Sequence, residues 1–295
     1  MKQYTRKEML QRLRAKIDAK KPLVGAGAAN PLIAHILDEA GCDFIFAYCT
    51  GIARVGGFPT GVGTQAYGDA DQRCVDFANQ ASLVVEHTPI ICGIGPGDPT
   101  MSIDRLTDRY LALGYSGMIN FPCAGSTIDQ LGNPNLVSMY SDTVGAGLRK
   151  EAEYVKYWRD HDVFSYAYAY TEEGIKLLVG AGVDVVIPHL GLTAGGLVGT
   201  SAFGADYRSM REAQYEKLDY LTELCLKENP DVIVIGHGGI LAEPEDIQGA
   251  YDRTRIVGFV GASSTERLPI EKGTKCVMEQ IRSIRKRKKH AKAWK

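Results

Sequence analysis

Two histidines stand at the ends of apolar runs, His189 in Ile187-Pro188-His189-Leu190-Gly191 and His237 in Val234-Ile235-Gly236-His237-Gly238-Gly239. Each follows a run that reads as a buried strand, and each lies just before a glycine turn, so each ring belongs at a strand end and faces the rim. Imidazoles so placed can act as general acid or base, as donor to a developing oxyanion, or as metal ligand. A lone histidine is more often structural; two at equivalent strand ends favour chemistry. One helix after His237, Gly258-Phe259-Val260-Gly261-Ala262-Ser263-Ser264-Thr265-Glu266-Arg267 repeats the strand-then-glycine pattern. Backbone N–H groups at Gly238, Gly239, Gly261, Ala262 and Ser263 are expected to hold a phosphate or carboxylate, backed by a helix N-terminus. The expected ligand is therefore a small anionic metabolite.

Further candidates surround these turns. Gly191-Leu192-Thr193-Ala194-Gly195-Gly196-Leu197-Val198-Gly199-Thr200-Ser201 can curl round an anion or close as a lid, with Thr193 as a donor. Asn120 and Asp98 each follow an apolar run and can reach a barrel centre. Arg267 either binds a carboxylate or pairs with Glu271 four residues on. Glu266 is expected to orient or protonate beside His189 and His237. Asp69 and Asp71 either hold a divalent cation through oxygen or start a helix. With the two histidines they are the candidate ligands for Mg²⁺ or Zn²⁺. Cys49 sits at a rim, with no sequence feature that would activate it.

The elements that must position these groups recur with one rhythm. Strands are predicted over 22–26, 43–48, 89–93, 117–121, 163–169, 183–188, 231–236 and 256–261. Helical patterns lie over 31–40, 70–86, 101–113, 143–160, 172–180, 207–228, 244–252 and 266–288. Gly41, Gly114 and Gly182 stand where helix C-terminal caps are expected, and Ala-Gly-(Cys/Val)-Asp opens a strand at both Ala40–Asp43 and Ala181–Asp184. Eight such units imply a single α/β domain over residues 1–295, a (β/α)8 barrel. The loops near 49–68, 122–142 and 189–206 are long and should gather at one rim, where barrels carry function. Residues 1–21 read as an extra helix, with Met9, Leu10, Leu13 and Ile17 at helical spacing, covering the barrel bottom.

Composition narrows the class. The chain has 295 residues, 45% hydrophobic, and a net charge of −1. Seven scattered cysteines without a C-x-x-C pair argue against a disulfide framework or structural zinc and for a reducing, cytoplasmic setting. No run is long and apolar enough to span a membrane. Residues 282–295 hold eight Lys and Arg and no acid, which leaves −9 on the rest. With no interleaved aromatic group except terminal Trp294, this tail reads as a solvated helix end, and nucleic acid is not an expected partner. A homo-oligomer is the expected assembly.

The chain also resembles a known family, the phosphoenolpyruvate hydrolase-like or "TIM-barrel signal transduction" proteins, whose domain forms the C-terminal half of plant Tm-1 resistance proteins. The resemblance rests on Gly25-Ala26-Gly27-Ala28, Tyr67-Gly68-Asp69-Ala70, Asn120-Phe121-Pro122, His189-Leu190-Gly191-Leu192-Thr193, His237-Gly238-Gly239, Pro244-Glu245-Asp246 and Gly258 through Pro269. It implies a link to enzymes that use Mg²⁺ to stabilise an enolate while a C–C, C–P or P–O bond breaks. The chain has no Asp-Thr-Gly-Tyr-Gly-like stretch of the kind those enzymes carry, so the strand-end histidines offer a zinc-assisted or metal-free route. The expected activity is that of a hydrolase or lyase acting on a small oxo-acid, phosphoenol or 1,3-dicarbonyl. The alternative is a barrel that senses a metabolite without turning it over.

Overall fold

Eight short, mostly apolar segments form strands buried along nearly their whole length, as a parallel sheet covered on both faces requires. A computed structural model of the chain describes residues 1–59, 61–62, 69–96, 101–129, 132–139, 144–200 and 206–285. Asp98, Tyr67, Gly68, Ser201 and the tail beyond residue 285 lie outside the described residues. The strands are β1 (Leu23–Gly27), β2 (Phe44–Ala47), β3 (Ile90–Gly93), β4 (Gly117–Ile119), β5 (Ser165–Ala169), β6 (Val185–Pro188), β7 (Ile233–Gly236) and β8 (Gly258–Gly261). They pair in sequence order into a closed parallel barrel, sealed by Leu23 opposite Gly258 and Ala26 opposite Gly261. Each lies within a predicted strand or within one residue of it.

Helices follow the strands. They are α1 (Arg6–Asp18), α2 (Pro31–Glu39), α3 (Cys49–Val55), α4 (Ala70–Ala81), α5 (Ile103–Ala112) and α6 (Ala124–Asp129), then α7 (Pro134–Ser138), α8 (Leu148–Asp160), α9 (Glu172–Gly180), α10 (Arg211–Glu228), α11 (Pro244–Arg253) and α12 (Leu268–Ser283). Side-chain caps set several starts: Asn30 accepts from the Ile33 N–H, Asp69 from Gln72 and Thr171 from Gly174. The long loops after β2 and β4 contain α3, α6 and α7, which are too short for a periodic apolar pattern to show.

The barrel interior is filled by large side chains, among them Phe44, Phe46, Ile91, Tyr166, Ile187 and Ile235. Helix α1 seals the bottom, as its spacing predicts, because Met9 and Leu13 pack into this same cluster. The aspartates of the twin strand-opening motif anchor it: Lys16 reaches Asp43 at 2.5 Å and Arg6 reaches Asp184 at 2.8 Å. Helix α12 is different, since Leu268 is its only buried residue. Among the described residues, no helix is long and apolar enough to cross a membrane.

The plug makes a stability prediction. Leu13→Ala should cost about 2–5 kcal/mol, as for other buried leucines cut to alanine. Urea denaturation checks this, and a loss well under 1 kcal/mol would show that α1 contributes little to the folded state.

Candidate active site

Both histidines sit one residue past their strands, and a backbone bridge joins them: His189 pairs with His237, and the Leu190 N–H donates to the His237 carbonyl at 3.0 Å. Their rings meet edge to face with centroids 4.7 Å apart. Tyr170, just beyond β5, stacks on His189 at 4.3 Å. Tyr168, inside β5, lies 5.2 Å from His189 and 5.1 Å from His237. Opposite, the Tyr48 hydroxyl at the end of β2 is 3.2 Å from that of Tyr168. These residues and Thr50, Arg54, Phe121, Leu192, Thr193, Ala262 and Ser263 line a cleft with about 370 Å³ of atom-free space, partly open to solvent.

Each ring is anchored through Nδ1. The Gly191 N–H donates to Nδ1 of His189 at 3.0 Å, and Nδ1 of His237 lies 2.7 Å from the Val260 carbonyl. Burial pushes both imidazoles down. His189 falls well below its ordinary value, helped by neighbouring His237. His237 falls to about 4, with the Val260 contact opposing and Arg54 assisting. Both rings are therefore neutral near pH 7.

The charge in the wall comes from Arg54. Its Nε donates to Glu266 Oε1 at 2.6 Å, its Nη2 reaches the same oxygen, and its Nη1 donates to Thr50 Oγ1 at 3.3 Å. Both side chains of the ion pair are buried. Burial pushes the Glu266 carboxyl up against the pull of Arg54, while Glu266 keeps the guanidinium charged. Glu266 thus holds Arg54 and is not itself in the cleft wall. Sequence reasoning missed Arg54, Tyr48, Tyr168 and Tyr170. The available signal was an arginine in the apolar run Ile52-Ala53-Arg54-Val55 just past a strand.

The other candidates are placed as follows. Thr193, Ala262 and Ser263 reach the wall. Gly238 and Gly239 do not: the Gly239 N–H donates to Gly191 O at 2.8 Å and its carbonyl accepts from the Ala194 N–H, so the turn grips the strand-six loop. Gly239 has φ +58°, and a Cβ there would lie 2.7 Å from that of Leu190, so the turn needs glycine. Gly261 lies within β8, opposite Ala26. Arg267 donates to Glu271 at 2.9 Å and to the Gly195 carbonyl at 3.0 Å, which makes it a clasp on the same loop. Asn120 is occupied between strands, with Oδ1 accepting from the Tyr168 N–H and Nδ2 donating to the Tyr168 carbonyl and Glu151. Burial pushes the Cys49 thiol up to about 12, so it is not a ready nucleophile.

The metal candidates do not assemble. Asp69 is exposed and caps α4, and Asp71 lies in the first turn of that helix. Among the described residues, no three His, Cys, Asp or Glu side chains cluster as ligands. The described wall carries no Asp or Glu, whereas Mg²⁺ is ordinarily held through carboxylate oxygens. These residues do not fit a divalent cation.

The sequence profile of the phosphoenolpyruvate hydrolase-like family matches residues 8–284. The chain belongs to that family. It is 30% identical over 277 residues to the ToMV susceptible protein tm-1 of Solanum lycopersicum, and 29% identical over the same length to the resistance protein Tm-1 of that plant. Those matches cover 94% of this chain and 35% of each relative, so the chain spans about a third of their length. In fold it is similar to phosphoenolpyruvate phosphomutase from Streptomyces platensis subsp. rosaceus, with a TM-score of 0.57, 16% identity, and 92% and 87% of the two chains covered. Phosphonopyruvate hydrolase, solved with oxalate and Mg²⁺, gives 0.54 at 15% identity over 93% and 87%. Oxaloacetate acetylhydrolase gives 0.55 at 15% over 93% and 87%. At these identities the likeness is one of fold.

Glu151 supplies a pH prediction. It is fully buried, accepts from Ser126 and Asn120, and burial raises its carboxyl to about 7. Between about 4.5 and 7 the folded state holds this proton and the unfolded state does not, so stability from this group falls as pH rises through that window. Glu151→Gln should flatten that part of the profile in urea denaturation at stepped pH; parallel wild-type and mutant profiles would contradict the assignment.

Proposed function

We propose that the chain is an enzyme, a hydrolase or lyase acting on a small anionic oxo-acid, with the cleft between Arg54, His189 and His237 as its active site. The observation that carries this is one retained cation beside two neutral imidazoles in a small cleft partly open to solvent. Arg54 would take the carboxylate, and the imidazoles would work on the scissile group. Family membership and the hydrolases and mutase among the fold relatives support the same class.

Within that class we favour C–C cleavage of a 1,3-dicarbonyl acid. A phosphoenol substrate brings a phosphate near two negative charges, whereas the described wall offers a single guanidinium. A dicarbonyl acid needs one charge partner and neutral donors for an enolate oxygen, which this wall has. The neighbour solved with Mg²⁺ suggests a metal, but no described residue set supports one here.

We also propose a homo-oligomer. Ile270, Val277, Ile281 and Ile284 form an exposed apolar stripe along and just past α12 at coiled-coil-like spacing, and Val24 on β1 and Leu32 and Ile36 on α2 are exposed as well. A second copy fits as occupant because, among the described residues, α12 buries only Leu268 and β1 leaves Val24 exposed. Light scattering should give a multiple of the chain mass, and Val277→Asp with Ile281→Asp should give monomers. A monomeric wild type at micromolar concentration would refute this.

The test of function is turnover of a panel of small 2,4-dioxo acids. Removing Arg54 alone strands Glu266, so the informative variant is Arg54→Met with Glu266→Leu. It should fold but bind the acid about 10–100-fold more weakly, the equivalent of ~1.5–3 kcal/mol for a charged hydrogen bond. Unchanged affinity in a folded double variant would move the anion site elsewhere. Tight binding with no turnover of any acid would favour the metabolite-sensor reading.

A further inference from the structure

The two imidazoles are held by backbone partners of opposite kind. The Val260 carbonyl can only accept, so Nδ1 of His237, at 2.7 Å, carries the hydrogen and its Nε2 keeps a lone pair. The Gly191 N–H can only donate, so Nδ1 of His189, at 3.0 Å, is bare and its single hydrogen sits on Nε2. Neither partner can reverse its role, since both are main-chain groups, one in β8 and one in the turn after β6. The rings cannot easily rotate. Tyr170 stacks on His189 at 21°, and Tyr168 packs against both rings. Both rings line the same cleft.

We infer that the pair is divided by tautomer, with His237 as the general base through Nε2 and His189 as the hydrogen-bond donor through its Nε2–H. This rests on the reading of the cleft as a C–C hydrolase and sets the order of proton movements within it. His237 Nε2 takes a proton from water as the water oxygen bonds to the acyl carbon. The C–C bond then breaks, its electron pair leaves as an enolate, and His189 Nε2–H hydrogen-bonds to the enolate oxygen. The proton on His237 is finally delivered to the enolate carbon. The net change is addition of water across the C–C bond, with a carboxylic acid and a ketone as products, both rings returned to their starting state, and no oxidant or reductant needed. Val260 and Gly191 are positioning residues, because each acts only through a ring.

Nitrogen-15 NMR of imidazole-labelled protein tests the tautomers without any substrate. His189 should appear as the Nε2–H form and His237 as the Nδ1–H form near pH 7; the reverse assignment, or a protonated ring, overturns the inference. Kinetics test the division. Glutamine places an amide N–H near the Nε2 position but cannot accept a proton, so it replaces a donor and not a base. His189→Gln should lower kcat/KM by roughly tenfold or less, and His237→Gln by about 10²–10⁴-fold, the range for losing acid–base catalysis. Equal losses in the two variants overturn the division of roles. A wild-type protein inert to every dicarbonyl acid, with both tautomers as assigned, overturns the reaction reading and leaves the ring assignment standing.

Discussion

Closure of the barrel along the β1–β8 seam is the constraint on which the rest depends. It brings the carboxyl ends of all eight strands to one rim, so residues far apart in sequence become neighbours. Closure requires the interior to be filled evenly, and glycine makes room where a large ring crosses. A Cβ on Gly25 would lie 2.0 Å from the Phe44 ring, and one on Gly258 would lie 2.6 Å from the Leu23 side chain. With α1 plugging the bottom, the interior is a packed core, and the cleft lies at the top.

At that top, burial decides the charge states. Low dielectric favours neutral forms, and the histidines yield to it because no acid faces them in the described wall. Arg54 remains charged because Glu266 is buried with it; a guanidinium there without that partner would be costly. The cleft therefore combines one cation with neutral donors and acceptors, an arrangement suited to an anion that develops further negative charge during reaction.

The strand-six loop is held in register by residues outside the cleft. Gly239 clasps it from the turn after β7, and Arg267 with Glu271 clasps it from the start of α12, where Glu271 also accepts from the Leu197 N–H at 2.9 Å. These bonds place Leu192 and Thr193 in the wall. They also tie the first turn of α12 to the rim, and the rest of that helix continues into solvent.

The eight strands, most helix starts, the basal plug and the two strand-end histidines were legible in the sequence. All depend on local pattern: continuous apolar runs, capping residues and glycines after helices, whose physics acts within a few residues. What needed the tertiary structure was every partnership across the barrel. Glu266 reads alone as a residue that orients or protonates, and only the closed fold sets it against an arginine 212 positions away. Gly239 reads as an anion cradle and proves to grip a loop, and Arg267, which reads as either a ligand or a salt-bridge partner, meets Glu271 and the Gly195 carbonyl. Which nitrogen of each histidine holds the hydrogen follows from a carbonyl in β8 and an amide beyond β6. Sequence could place the rings at the rim, but only the closed fold could decide which main-chain group each one faces, because that choice is made by non-local pairing.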